Sequence, residues 1–264
     1  MNQLHKSQTR ITYYDLDYHG KIKLSALLRM VHIAADVNAK ELGVGYGTLA
    51  PLSITFVLQR FGVSITRMPS YDEEVTIRTW PSDISKGTFL RRGDMYDKSG
   101  AKIMEWASLW LLFDIKARRV LRPSALPVPL EGLGDEGVKI MPEKIALPQN
   151  LGEPFSRYNH TVSYRDADTN MHMNNSIYGD LIGNAIFPAF TPSSMQCAKC
   201  IEGEEKVPNY EAAVPTPNWK QVQINYLAEI RLGEEAEVSA YKDGDSYIVV
   251  GESGGRTAFV ARVD

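Results

Sequence analysis

The chain has 264 residues, enough for one large domain or two of ordinary size, and its 44% hydrophobic and 23% charged content is typical of a soluble globular protein. No apolar run is long enough to cross a bilayer and the N-terminus lacks the apolar core of a signal peptide, so we expect no membrane span and a cytoplasmic location. The net charge is −3, but residues 1–122 contain 18 Lys and Arg against 12 Asp and Glu, whereas residues 123–264 contain 11 against 20. A basic first half could steer an acidic partner, although two independently solvated surfaces would give the same composition.

The pattern of the first half predicts a strand, a helix and four further strands. Alternating residues at 4–14 predict the first strand, and a loop at 15–20 precedes a helix whose N-cap we assign to Ser25 and whose C-cap we assign to Gly43. The later strands are predicted at 54–67, 73–84, 88–96 and 102–115. The last of them is almost continuously apolar from Trp106 to Phe113, as in a strand buried on both faces.

The segment 123–150 contains five prolines and shows no regular period, which predicts an inter-domain linker. The earlier order of elements then returns, with a polar insertion at 191–218 after the helix. The predicted elements are a strand at 157–166, a helix at 175–189 and strands at 220–230, 235–242, 246–251 and 256–263.

The two copies align without gaps at their starts, which indicates an internal duplication. The aligned pairs are Asp15 with Asp166, Asp17 with Asp168, His19 with Asn170, Lys21 with His172, and Ser25 with Ser176. A second alignment, in a later strand, places Met68 on Glu229. A helix lying across an antiparallel sheet in each copy predicts an α+β fold.

The stretch that leads into the helix of the second copy holds the densest chemistry in the sequence. Asp168, Asn170 and His172 alternate along a segment that we interpret as extended, so their side chains should point to one side. Asn174 and Asn175 follow where the helix should begin, and a helix N-terminus favours negative charge. A carboxylate, an amide and an imidazole should therefore converge beside a helix start, in the second copy only.

The two cysteines, Cys197 and Cys200, form a lone Cys-x-x-Cys. A structural zinc site would need a second ligand pair, and the sequence shows no matching one. We therefore interpret these residues as ordinary reduced thiols and predict no metal and no cofactor.

The motif Asp-x-Asp-x-Asn-x-His-x-Asn-Asn-x-x-Tyr, from Asp166 to Tyr178, resembles that of the bacterial acyl-acyl carrier protein (acyl-ACP) thioesterases. The resemblance covers nearly the whole chain. It implies an α+β fold of two tandem hotdog units, each a long helix packed on an antiparallel sheet, at residues 1–122 and 151–264, with the linker at 123–150 between them. It also implies hydrolysis of fatty acyl-ACP to free fatty acid and carrier protein, without a cofactor.

The family pattern also has a carboxylate in the next strand of the second unit, commonly followed by cysteine. Glu229 matches the glutamate and Ile230 replaces the cysteine, which argues against a cysteine nucleophile. A second departure is Leu181, where the family usually has tryptophan. The catalytic set that the resemblance implies is Asp168, Asn170, His172 and Glu229.

Thioester hydrolysis gives each of these residues a candidate role. Backbone N–H groups at the helix start would hold the oxyanion, and Glu229 would act as general base or nucleophile. Asn170 would orient the water or the carbonyl, His172 would polarise the site or transfer protons, and Asp168 would orient one of these two side chains. Each also has a structural alternative: turn caps for Asp168 and Asn170, a core position for His172, and a solvated carboxylate for Glu229 on the polar strand face that includes Asn225.

The resemblance also implies partners. Acyl carrier protein is acidic, so the candidate docking residues are Arg91, Arg92, Lys116, Arg118 and Arg119. We expect no nucleic-acid partner, and the sequence leaves a homodimer open. The alternative functions are an acyl-CoA thioesterase on the same fold, a hotdog hydratase, and a non-catalytic acyl- or carrier-binding module.

Overall fold

The computed structural model describes residues 3–17, 20–85, 87–148, 150–189 and 219–264. In these ranges eleven strands form a single antiparallel sheet. The strands are β1 (His5–Arg10), β2 (Ile54–Ile65), β3 (Glu74–Ser85), β4 (Thr88–Tyr96), β5 (Lys102–Asp114), β6 (Arg119–Leu121), β7 (Ser156–Thr161), β8 (Gln221–Tyr226), β9 (Glu235–Asp243), β10 (Ser246–Ser253) and β11 (Arg256–Val263). Their order across the sheet is β1-β3-β4-β5-β2-β8-β11-β10-β9-β7, with β6 paired to β5 at the side.

The sheet consists of two five-stranded halves that meet where β2 pairs with β8. Each half carries one principal helix on the same apolar face: α1 (Leu24–Glu41) packs on β1 and β3, and α3 (Ile177–Ile186) packs on β7, β9 and β10. A short helix, α2 (Tyr46–Leu49), follows α1. This arrangement confirms the predicted fold of two tandem units, each a helix on an antiparallel sheet. The two predicted sheets are, however, one continuous sheet.

The main hydrophobic core lies between the helices and both halves of the sheet, and a smaller cluster formed by Ile248, Val250 and Val260 packs against Ile145 and Leu151. The fully buried members of the main core include Leu27 of α1, Phe61 of β2, Trp106 of β5, Ile182 of α3 and Phe259 of β11. Since both units contribute to one core, we expect them to unfold together. No helix in the described ranges is long and apolar enough to cross a membrane.

Two predicted helix ends differ from the structure. α1 begins at Leu24 with Lys23 as its N-cap, so Ser25 is not the cap. Ser25 is buried instead, and its hydroxyl donates a hydrogen bond to the Asp180 carboxylate of α3, which ties the two helices together. Gly43 lies directly after the C-cap of α1 with a φ of +74°, as a glycine that ends a helix does.

The segment after Ala125 forms no helix or strand in its described residues until Ser156. It crosses the face of the sheet opposite the helices, where the amide side chains of Gln223 and Asn225 on β8 exchange hydrogen bonds with its backbone at Met141, Glu143 and Ile145. The polar face of β8 is therefore buried under this segment and is not a solvated surface. The position of the boundaries at 122 and 150 stays a prediction.

The duplication is visible in matching hydrogen bonds at an offset of 151 residues. In each unit an aspartate accepts two bonds from a hydroxyl residue three positions earlier, and a second aspartate closes a tight turn before the helix. The matching pairs are Asp15 to Thr12 with Asp166 to Ser163, Lys21 N to Asp17 Oδ1 with His172 N to Asp168 Oδ1, and Lys23 N to Asp15 O with Asn174 N to Asp166 O. This pattern confirms the sequence alignment of the two starts, apart from His19, which lies outside the described residues.

The contact between α1 and α3 depends on a glycine. A Cβ atom at Gly179 would lie 2.5 Å from the backbone nitrogen of Ser25 and 2.8 Å from the carbonyl carbon of Leu24, whereas a Cβ at Gly183 would meet no atom within 4 Å. We predict that Gly179→Ala lowers the free energy of unfolding by about 1–3 kcal/mol through overpacking. The same change at Gly183, one turn further along the same helix, should raise it by about 0.5–1 kcal/mol. Urea unfolding of the two variants measures the difference, and equal effects would show that the backbones are not in close contact.

Candidate active site

The loop between β7 and α3 is a tight turn, so the predicted extended conformation is wrong. The backbone N–H of Asp168 donates to the carbonyl of His172 at 2.8 Å, and the N–H of Met171 donates back to the carbonyl of Asp168 at 3.0 Å. Met171 adopts a φ of +63°, a left-handed conformation that non-glycine residues rarely take. The carboxylate of Asp168 favours the turn because it accepts hydrogen bonds from local N–H groups. In an extended segment those groups would pair with a neighbouring strand.

Asp168 organises this turn with its carboxylate. One oxygen accepts from the backbone N–H of Asn170 at 2.8 Å and from that of His172 at 3.3 Å, and the other lies 3.3 Å from the Asn170 amide nitrogen. Asp168 therefore orients the Asn170 amide, one of its two predicted roles. The nearest acid to the His172 ring is a different residue, Glu229.

Glu229 lies just beyond the end of β8. The N–H groups of Leu227 and Ala228 both donate to the carbonyl of Ala258, which turns the chain out of the strand. Backbone bonding then pairs His172 with Arg231, the residue two positions after Glu229. In this way two segments that are far apart in sequence place Glu229 against the motif loop.

The carboxylate of Glu229 has two cationic or potentially cationic neighbours. Its Oε2 lies 3.3 Å from Nε2 of His172 and 3.4 Å from a terminal nitrogen of Arg118, which comes from the first unit. Glu229 and His172 are partly buried, and Arg118 is exposed. A carboxylate held between an imidazole and a guanidinium is suited to accept a proton from a bound water and to pass it on.

These side chains line a cleft of about 420 Å³ at the junction of the two units. The second unit supplies all four predicted site residues, and the first unit supplies an apolar wall that includes Phe56, Leu58 and Phe113. The structure thus brings together every member of the predicted catalytic set, and Phe113, at the end of the almost continuously apolar run of β5, borders the same space.

The start of α3 also borders the cleft. The side chain of Asn174 accepts hydrogen bonds from the N–H and hydroxyl of Ser176, which is the N-cap of α3, so Asn174 fixes the turn that leads into the helix. Asn175 lines the cleft, and within the described residues its backbone N–H makes no hydrogen bond. That N–H group is a candidate oxyanion donor.

Tyr178 is a core residue. It is 3% exposed and packs edge-to-face on Tyr226 and Phe259, with ring centroids 5.0 and 5.1 Å away. Burial, with a smaller contribution from the negative charges of Glu229 and Asp168, raises the pKa of its hydroxyl above the usual value. Its phenol is therefore neutral at physiological pH and is not a proton acceptor.

The first unit has a counterpart cavity without the same chemistry. It measures about 410 Å³ and is lined by Asp17, Lys21 and Met68, the residues aligned with Asp168, His172 and Glu229. A thioether replaces the carboxylate there, so the cavity has no equivalent acid at that position. The asymmetry supports the second unit as the reactive one.

Two of the five predicted docking residues are not on the surface that was expected. Arg92 is buried, and its guanidinium donates to the backbone carbonyls of Val138 and Ile140 in the segment that crosses the sheet. Arg91 is partly buried and lines a cavity beside α1. Lys116, Arg118 and Arg119 are exposed and lie in or beside the turn between β5 and β6. The basic cluster at the cleft is thus smaller than the sequence suggested.

The sequence did not identify Arg231 and Arg256, which also line the cleft, or the contact of Arg118 with Glu229. No local signal marks them, because their proximity to Glu229 depends on the strand order. Cys197 and Cys200 lie outside the described residues. Within those residues, no group of three or more histidines, cysteines or acids could hold a metal ion.

Two helix-on-sheet units hold a carboxylate, an imidazole and an amide in the cleft between them, a set of groups that can serve hydrolysis. Residues 2–124 match the model of the acyl-ACP thioesterase N-terminal domain. The first unit is therefore similar to the acyl-ACP thioesterase family over its whole length.

Solved structures extend the likeness in fold to the whole chain. An acyl-ACP thioesterase from Bacteroides thetaiotaomicron superposes with a TM-score of 0.79 at 22% identity, covering 99% of this chain and 97% of that chain. A 12:0-ACP thioesterase from Umbellularia californica gives a TM-score of 0.73 at 17% identity, covering 100% and 97%. No curated protein sequence matches the chain. The tandem hotdog fold is thereby confirmed over both units.

The Asp168 turn yields a prediction with an internal control. Asp168→Ala should lower kcat/KM about 10–100-fold. Without this carboxylate the turn no longer holds Asn170 and His172 in position beside the substrate. Asp168→Asn retains an acceptor oxygen for the two N–H groups and should lose less activity. The matched control is Asp17→Ala, which removes the equivalent turn acceptor of the first unit. If Asp17→Ala reduces kcat/KM as much as Asp168→Ala while both remain folded by circular dichroism, the loss does not come from the position of Asn170 and His172.

Proposed function

We propose that this cleft hydrolyses the thioester of a fatty acyl-acyl carrier protein, with Glu229 as the catalytic carboxylate and Asp168, Asn170 and His172 as its supporting set. The observation that supports this most directly is the position of Glu229 Oε2, within 3.4 Å of both His172 and Arg118 in a cleft with an apolar wall. Substrate and reaction class follow from the family of the first unit.

The reaction needs one water and one proton relay. The water oxygen bonds to the thioester carbonyl carbon while Glu229 takes its proton, and the N–H of Asn175 and the amide of Asn170 stabilise the oxyanion. The carbon–sulfur bond of the tetrahedral intermediate then breaks. His172, 3.3 Å from Glu229, passes the proton to the leaving sulfur, which gives the free acid and the carrier thiol.

The acyl chain has a candidate chamber next to the cleft. A second cavity of about 240 Å³ lies between α1 and the sheet, and it shares Thr55 and Phe56 of β2 with the cleft. Its lining is largely apolar and aromatic, with Phe89 and Trp110 among its residues. A chain whose thioester lies at Glu229 would pass these shared residues into the chamber, where its hydrocarbon is removed from water.

The carrier protein would dock on the exposed basic residues beside the cleft. Lys116 and Arg119 flank Arg118, whose guanidinium reaches Glu229, and Arg231 and Arg256 also line the cleft. Positive charge at the mouth of a cleft raises the encounter rate with an acidic carrier. A cytoplasmic location, a homodimer and the exact unit boundaries remain predictions from the sequence.

The catalytic role of Glu229 is open to direct test. Glu229→Gln keeps the shape of the side chain but cannot accept a proton, so kcat on acyl-ACP should fall about 10²–10⁴-fold, followed as release of the carrier thiol. Glu252→Gln on β10, an exposed position outside the cleft, serves as control and should leave kcat unchanged. Largely intact turnover in folded Glu229→Gln protein would remove Glu229 from the mechanism. Single-turnover reaction in ¹⁸O-water separates base from nucleophile, since only a nucleophilic Glu229 acquires the label.

Carrier docking should be visible in the salt dependence. The double variant Lys116→Glu/Arg119→Glu should lower kcat/KM for acyl-ACP about tenfold at low salt and flatten its decline with ionic strength, because steering is electrostatic. Hydrolysis of an acyl-N-acetylcysteamine, which is neutral, should not change. Lys6→Glu/Lys98→Glu reverses two exposed charges away from the cleft and should leave both substrates unaffected. An equal loss on both substrates would place the effect in the site rather than in docking.

Two of the alternative functions can be distinguished on the same samples. An acyl-CoA thioesterase would turn over acyl-CoA faster than acyl-ACP of equal chain length. A non-catalytic module would bind acyl-ACP and release no thiol.

A further inference from the structure

We infer that the chamber beside α1 accepts an acyl chain that bears a hydroxyl group, with Arg91 and His32 as its recognition residues. This inference rests on the proposed function, because it names a subclass of its substrates. It starts from two polar side chains in an otherwise apolar space.

The first is His32 of α1. It lines the chamber, and its Nε2 atom is buried without a hydrogen-bond partner. The ring packs edge-to-face on Phe61 and Trp110, at centroid distances of 6.3 and 6.0 Å, so its position is fixed by aromatic neighbours. Burial lowers the pKa of His32 to about 4, which leaves a neutral imidazole at physiological pH. A buried nitrogen without a partner is unfavourable, so a polar partner would be favoured there.

The second is Arg91 of β4. Only one of its terminal nitrogens forms hydrogen bonds, at 2.7 Å to the side-chain oxygen of Asn38 and 3.2 Å to the hydroxyl of Thr79. Both partners are neutral, and no carboxylate in the described residues forms an ion pair with Arg91. Burial lowers its pKa to about 10, so it still carries its charge at neutral pH. Its Nε and second terminal nitrogen remain as donors for a ligand.

The charge of the chamber lining indicates a neutral group. Asp36, one helical turn after His32, is an exposed carboxylate that lines the same cavity, and it forms no ion pair with Arg91. A carboxylate on the ligand would be repelled by Asp36 as well as attracted by Arg91. A hydroxyl adds no charge, accepts from Arg91 and can bond to His32 in either tautomer.

A plain hydrocarbon chain that reaches Arg91 would displace water from the guanidinium and would provide no hydrogen-bond acceptor in its place. A desolvated guanidinium without an acceptor is costly, and sites built around a polar group reject analogues that lack it. A hydroxylated chain avoids this penalty while keeping the apolar contacts along its length. The chamber should therefore discriminate between two chains that differ by one oxygen atom.

The test pairs acyl-ACPs over a range of chain lengths, each supplied as a plain chain and with a hydroxyl at its terminal or penultimate carbon. At the length that reaches Arg91, the wild-type protein should show a kcat/KM about tenfold higher for the hydroxylated chain. His32→Phe keeps the aromatic packing and Arg91→Gln keeps bonding to Asn38, and each should bring the ratio close to one. Arg10→Gln, an exposed arginine on β1, should keep the wild-type ratio.

The possible outcomes separate this inference from the proposed function. A wild-type preference for the plain chain at every length, or a higher kcat/KM for a terminal carboxyl than for a hydroxyl, would overturn the inference. If no acyl-ACP is hydrolysed, the proposed function fails. Calorimetric binding of free fatty acids to the Glu229→Gln variant then tests the preference of the chamber independently of turnover. Tighter binding of the hydroxylated acid, lost in His32→Phe, supports the inference, and equal binding of both acids overturns it.

Discussion

The pairing of β2 with β8 is the interaction on which the site depends. It joins the two units through residues Arg60–Ser64 and Gln221–Asn225 and makes one sheet out of two. At the other end of β2 the register with β5 shifts between Leu58 and Arg60, and the strand leaves β8 at that bulge. The freed end contains Phe56, which borders both the cleft and the chamber. A bulge beside an active site commonly redirects a strand in this way, and here it opens space between the units.

The two copies of the turn share one backbone conformation but differ in the residue that adopts it. Gly20 and Met171 occupy the same position, and both have a positive φ, +71° and +63°. Glycine takes that conformation freely, whereas methionine takes it at a cost. The unit with the complete polar set therefore also has the strained turn. The hydrogen bonds of Asp168 and the pairing of His172 with Arg231 hold the turn against that strain.

Sequence reasoning succeeded where the determining interactions are local. The strands β2 to β5 and the register of the two repeats follow from alternation and from aspartate turns only a few residues long. It failed for the conformation around Asn170, since side-chain capping by Asp168 overrode the alternation. It also missed the partnership of Arg118 with Glu229, which spans 111 residues and exists only because β2 lies beside β8. Arg92 illustrates the same limit: its charge suggested a surface, and long-range packing buried it.

The two units are therefore related in fold but differ in the polar residues that they contribute. The second unit has the complete polar set in its turn. It also has the carboxylate of Glu229 at the position where the first unit has Met68. The first unit instead has two polar side chains along its own cavity: His32, whose Nε2 has no hydrogen-bond partner among the described residues, and Arg91, which forms its hydrogen bonds through one terminal nitrogen. Under the proposed function, an acyl chain beside α1 and its thioester at Glu229 would both contact β2, because that strand lines both spaces. Selection of the chain and cleavage of the bond would then depend on one strand.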